Sequence, residues 1–230
     1  ILAERVIDAT GDADIAFRAG APTKSTPREE LQAASVMFHL AGVNKAAFLD
    51  GIRENPSTYA SWSSGEWQIE TSGKEDEMYS PYLGKPFDQA RAEGLIPADL
   101  DTIAGTWGAV HDSGELTYMN LVHLAGVDGT DPDSLTEFEI EGRRQAMLAI
   151  DALRAYTPGC EGVRLRNFGM SIGIRDTRKI DAIYNMTETD VREQGRFEDS
   201  VGIYPEFIDG YGILLLPTTG RYMTRTVRSL

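Results

Sequence analysis

A single cysteine, three histidines and little positive charge set the first limits on this 230-residue chain. Cys160 has no second cysteine to pair with, which excludes an internal disulfide and fits a reducing compartment, so a cytoplasmic location is expected. It lies between Gly159 and Glu161, with no base or cation close in sequence to activate it, and is expected to be an inert thiol. His39, His111 and His123 lack metal-ligand spacing, and each is expected to be a hydrogen-bonded, partly buried histidine. No apolar run of about 18 residues occurs, so nothing in the sequence reads as a membrane span. The 22 basic residues face 36 acidic ones, for a net charge of −14, which argues against nucleic-acid phosphate and anionic membrane as partners. Neither a GxSxG elbow nor a GxxxxGK[ST] loop is present, so serine-hydrolase and nucleoside-triphosphatase chemistry have no motif. Paired-carboxylate hydrolysis has acids to draw on, but the sequence places no pair at catalytic separation.

What the chain does contain is 41% hydrophobic residues, enough to bury a core in one large or two small domains. Residues 171–180, SIGIRDTRKI, run from an apolar strand pattern straight into Arg175, Arg178 and Lys179. On a strand, Arg175 and Arg178 face opposite sides; on a turn or a first helical turn they converge on one anion. The alternative is that both pair with Asp176, Asp181 or Glu161 on a solvated edge.

From the N-terminus, Val6 and Ile7 read as a short buried strand ending in Ala9-Thr10-Gly11. Small residues there let the backbone pass close to a ligand, and Gly11 is free to take positive φ. Asp12 and Asp14 stand where a helix cap would, before IAFRAGAP. Residues 23–30 read as a linker. Residues 33–41 read as a strand, with Ser35, Met37 and His39 on one face and Val36, Phe38 and Leu40 on the other. A short helix capped by Asn44 follows. Residues 55–113 are interrupted by proline and glycine and read as a lid or variable insertion, with Trp62, Trp67 and Trp107 as local core.

Residues 115–124 form the next strand, with Thr117, Met119, Leu121 and His123 facing one way and Leu116, Tyr118, Asn120 and Val122 the other. Asp128, Asp131 and Asp133 depart from the EF-hand calcium spacing and read as a turn with a helix cap. Residues 135–156 carry apolar positions at helical spacing and are stopped by Pro158-Gly159. Residues 163–174 read as a strand, 186–200 as giving a short helix capped by Thr187 or Thr189, and 201–216 as further strands.

Four stretches together resemble the FAD-dependent oxidoreductases built on the glutathione-reductase-type flavin fold: VIDATGDADIAFRAGAP at 6–22, GVDGTDPDSLTEFEIEGRRQA at 126–146, SIGIRDTRKIDAIYNMTETDV at 171–191, and the run at 195–212. Most of the chain takes part, and 55–113 contributes little. The resemblance implies an α/β to α+β protein: the end of an FAD-binding, Rossmann-like domain at 1–24, a substrate domain with a mainly antiparallel sheet covered by helices at 25–218, and a return toward the FAD-binding domain at 219–230. It implies that Ala9, Thr10, Gly11 and Asp12 lie against FAD, and that Arg175 and Arg178 point to the flavin or to an anionic small-molecule substrate.

The family's GxGxxG loop is absent and is expected upstream of Ile1, and residues 220–230 depart from the usual C-terminal flavin segment. The sequence therefore reads as an internal piece of a longer protein that binds FAD poorly by itself. A non-redox ligand-binding or interaction module on the same scaffold is the alternative. No motif specifies the substrate, the electron acceptor or the oligomeric state.

Overall fold

The computed structural model describes residues 2–54, 82–187, 189–190, 193, 195–204, 208–210, 213–215 and 225–228. The chain divides into two compact units, Ile1–Gln32 with Asp176–Leu230, and Ala33–Arg175. Residues 176–218, drawn with the substrate domain from sequence, are thus grouped with the N-terminal segment.

The unit Ala33–Arg175 is a helix-covered antiparallel sheet, of the mixed α/β class that the sequence led us to expect. Its strands are β2 (Ala34–Ala41), β3 (Tyr82–Leu83), β4 (Ile103–Thr106), β5 (Ala109–Val110), β6 (Leu116–Leu124) and β7 (Arg164–Phe168). They run in the order β3-β4-β6-β2-β7, with β5 also pairing with β6. Three helices complete the unit: α2 (Lys45–Glu54), α3 (Lys85–Ala92) and α4 (Pro132–Tyr156).

Alternation in ASVMFHLA makes β2 two-faced, with Val36, Phe38 and Leu40 buried. Helix α4 packs against β2, β6, β7 and α3. Its inner stripe is Ala146, Ala149, Ile150 and Leu153, and at Gly142 it comes so close that an added Cβ would lie 2.3 Å from Val36 Cγ2. Asp131 caps it by accepting from Asp133 N at 3.0 Å, with Pro132 at its start. Asp128 accepts from the backbone N–H and hydroxyl of Thr130, so both carboxylates serve the turn and cap. Asn44 Oδ1 accepts from Ala47 N at 3.2 Å, the cap expected for α2.

Three expectations are corrected here. The two faces of β6 do not alternate as the sequence suggests. Val36, Phe38 and Leu40 face Val122, Met119 and Leu116 across the pair, two-residue steps against three-residue ones, with a register shift at each. Each bulge inserts one residue and flips the pleat, so Leu116, Met119 and Val122 share the buried face, and Tyr118 takes φ +59. The described part of the supposed lid, residues 82–113, is sheet and core instead: Leu83, Phe87, Ile96 and Ile103 are all buried, and Trp107 sits edge-on to Phe48 at 5.2 Å. Trp62 and Trp67 lie outside the described residues. Finally, residues 171–174 do not continue as a regular strand; Gly173 exchanges two backbone hydrogen bonds with Ser35, and Ile172 N donates to Glu139 on α4.

Cys160 is fully buried, and desolvation pushes its thiol pKa up to about 12, which keeps it protonated and unreactive. His39 is half-buried, but its Nδ1 has no hydrogen-bond partner among the described residues, contrary to the expected satisfied histidine.

In the other unit, β1 (Thr23–Ser25) pairs with β8 (Arg178–Ile180), β9 (Ser200–Tyr204) with β12 (Arg225–Arg228), and β10 (Ile208–Gly210) with β11 (Ile213–Leu215), all antiparallel. The expected linker at 23–30 therefore contains a strand. The expected strand at Val6 and Ile7 does not form. These residues are 67% and 91% exposed, and no described strand lies beside them to take up their backbone hydrogen bonds. Thr187 Oγ1 accepts from Asp190 N at 3.2 Å while Asp190 accepts from Thr187 N, the reciprocal bonds expected of the cap, but the expected helix does not extend through the described residues 195–199. Among the described residues no helix is long and apolar enough to cross a membrane.

Candidate functional site

Of the residues singled out in the sequence, Ala9, Thr10, Gly11, Asp12 and Arg178 lie in the unit of Ile1–Gln32 with Asp176–Leu230, around the turn at 8–13 and helix α1 (Asp14–Arg18). Gly11 takes φ +84, and an added Cβ would meet nothing within 4 Å, so the turn needs glycine for its backbone and leaves open space beside it. Ala9 and Thr10 are exposed, and Asp12 is half-buried.

Capping falls to residues other than the expected Asp12 and Asp14. Asp8 Oδ1 accepts from Thr10 N at 3.0 Å and from Thr10 Oγ1 at 2.7 Å, while its Oδ2 accepts from Ala16 N at 2.9 Å. Thr10 Oγ1 in turn accepts from Asp14 N at 3.0 Å. These bonds occupy the donors a helix start leaves open and bind the turn to α1. They also hold the Asp8 carboxyl below the usual carboxylate range, first through the Ala16 amide and then through Thr10. Because the folded-state pKa is lowered, this contribution is complete above the ordinary aspartate range and is lost as pH falls through the lowered value. The Ala16 and Thr10 amide resonances should therefore titrate together, below the ordinary aspartate pKa, and the Asp8→Asn variant should lose the transition. Titration at the ordinary value would show that the cap does not hold Asp8.

The arginine segment joins the turn through side chains. Thr177 Oγ1 donates to Asp12 Oδ1 at 2.6 Å, and Asp12 Oδ2 has no donor among the described residues. Arg178 Nη2 lies 3.3 Å from Asp14 Oδ1, and its guanidinium stacks 4.2 Å from the Phe17 ring centroid. Of the acids the sequence offered to the arginines, Asp176 pairs with Lys179, Asp181 pairs with Lys24 at 3.6 Å, and Glu161 accepts from Gly159 N at 3.1 Å. Lys179 Nζ also donates to Thr26 Oγ1 at 2.7 Å. Arg175 is exposed and closes the other unit, so the boundary between units falls between the two arginines.

Asp8, Phe17 and Thr177 were not singled out in the sequence. Asp8 carries a local signal, an aspartate two residues before a threonine, which is the pattern of a side-chain turn. Thr177 and Phe17 carry none, because their partners are far away along the chain.

The family model for FAD dependent oxidoreductases matches residues 1–210. The chain belongs to that family, and FAD is its cofactor. No curated protein and no solved structure matches it. The turn fits the cofactor. Open space over Gly11 and the small Ala9 permit close backbone approach, and Asp12 Oδ2 is an acceptor suited to the hydroxyls of a dinucleotide.

Proposed function

We propose that this chain serves hydride transfer between a small organic substrate and FAD. The observation that carries the reading is the 8–13 turn, in which Gly11 takes φ +84 with nothing among the described residues over it, beside Asp12, whose Oδ2 has no donor among the described residues. Ala9, Thr10, Gly11 and Asp12 hold the cofactor, which when bound accepts the hydride. The protein's share is orientation and charge. Arg175 and Arg178 supply fixed positive charge for an anionic group of the substrate or of the reduced flavin, without moving a proton.

The unit Ala33–Arg175 is the substrate domain in this reading. The β2 face turned from Val36, Phe38 and Leu40 carries Ser35 and His39, opposite His123 of β6 and Asn167 of β7. Such a face gives a small polar molecule several hydrogen-bonding groups on a rigid sheet.

The test is the visible absorption spectrum of the protein purified without added cofactor and again after incubation with FAD, followed by anaerobic addition of small hydroxy- and amino-acids. A flavin band that bleaches on addition of a substrate supports the reading. Absence of any band from the intact gene product, even after FAD addition, moves the function to a non-redox module on the same scaffold.

A further inference from the structure

We propose that Thr177 is a positioning residue for the flavin, acting through Asp12 across 165 positions of sequence. The proposal rests on the assignment of the turn to FAD and extends it to a residue that does not belong to the turn.

The hydrogen bonds within the turn fix Asp8, Thr10 and the start of α1, but none of them touches the Asp12 carboxylate. Asp12 is half-buried, and the hydrogen bond that sets its carboxylate among the described residues comes from the Thr177 hydroxyl. Its bond is short, at 2.6 Å, its acceptor is a carboxylate, and Thr177 is only 7% exposed. With Oδ1 engaged, the carboxylate is held with Oδ2 presented to a ligand.

The donor itself is held firmly. Arg178 is tied to Asp14 and Phe17, and Lys179 to Asp176 and Thr26. Backbone pairing sets Ser25 opposite Arg178, Lys24 opposite Lys179 and Thr23 opposite Ile180. A residue clamped on one side by a sheet and a stacked guanidinium is a better reference point than anything inside a turn of small residues. The ligand group addressed is a hydrogen-bond donor of the flavin dinucleotide, a hydroxyl or an N–H, because a carboxylate oxygen offers only an acceptor.

Flavin fluorescence quenching and the visible spectrum of the bound cofactor test this on the full chain. Thr177→Val should weaken FAD binding about tenfold or more, as expected for loss of a hydrogen bond to a charged group. Thr177→Ser, which keeps the hydroxyl, should stay within a few-fold of the parent. Thr177→Ala supplies the same test if valine is not accommodated. Asp12→Ala should weaken binding as well, and Thr177→Val added to it should cost nothing further, since the two act as one unit. Parental affinity in Thr177→Val and Thr177→Ala, or losses that simply add in the double variant, would overturn the positioning role. If Asp12→Ala weakens FAD binding while the Thr177 variants do not, the positioning role alone falls. If Asp12→Ala binds FAD normally, the assignment of the turn falls with it.

Discussion

Gly105→Ala should destabilise the unit Ala33–Arg175 by at least about 3 kcal/mol and lower its melting temperature by on the order of 10 °C. A Cβ at Gly105 would stand 1.9 Å from the carbonyl oxygen of Asn120 and 3.0 Å from its carbon, on the neighbouring strand β6. Nothing there can yield by a rotamer change, because the obstacle is backbone. The strands must part, and with β4 go its pairing to β6, the β3 edge beyond it and the burial of Ile103. Gly94→Ala is the matched control. Gly94 also has positive φ, +78, but nothing lies within 4 Å of its Cβ position, so the cost there is the backbone strain alone, about 1–2 kcal/mol. Urea and thermal unfolding of both variants would decide it; equal shifts would mean that β4 and β6 do not approach as closely as the structure has them.

The same sheet shows which parts of the fold can be read from sequence. Strand β2 was legible because its period of two holds from Val36 to Ala41, and α4 because its small and apolar residues keep one stripe beneath a capped start. Strand β6 was legible as a strand and wrong as a pair of faces. Its apolar residues fall three apart at Leu116, Met119 and Val122, and only the pairing with β2 reveals the two bulges that put all three on one side. Hydrophobicity at Val6 and Ile7 likewise says what a strand would bury, but not whether a partner strand stands beside it.

The site divides along the same line. Gly11 was legible as a turn glycine, and it takes φ +84; the reading of Gly11 and Asp12 as cofactor residues came from the family resemblance, since a turn of small residues by itself is more often a plain connection to a helix. The bond from Thr177 to Asp12 was not, because the sequence has no period that links positions 165 apart. The arginine pair was legible as a concentration of positive charge, but its partner was not: of the nearby acids, Asp176 and Asp181 go to lysines, and Arg178 takes Asp14 from the other end of the chain.

That difference between the arginines separates their expected effects. In the proposed reaction, Arg175→Ala should slow flavin reduction by about a hundredfold, the usual cost of removing one preorganised group that stabilises developing charge, and cost less than about 1 kcal/mol of stability, because exposed arginine contacts are screened by solvent. Arg178→Ala should slow it comparably but also lower stability by about 1 kcal/mol, since its guanidinium stacks on Phe17 beside the Asp14 carboxylate. Lysine distinguishes the two positions further. Arg175→Lys keeps a point charge and should recover part of the rate, whereas Arg178→Lys keeps the charge toward Asp14 but loses the planar group that lies on the ring. Anaerobic stopped-flow reduction at saturating FAD, read beside thermal melts, separates these effects. Unchanged reduction kinetics in both alanine variants would remove the arginines from the site. A rate loss confined to Arg178→Ala, matched by loss of bound flavin, would leave Arg178 as the clamp of the cofactor turn, with no part in stabilising the charge that develops in the reaction.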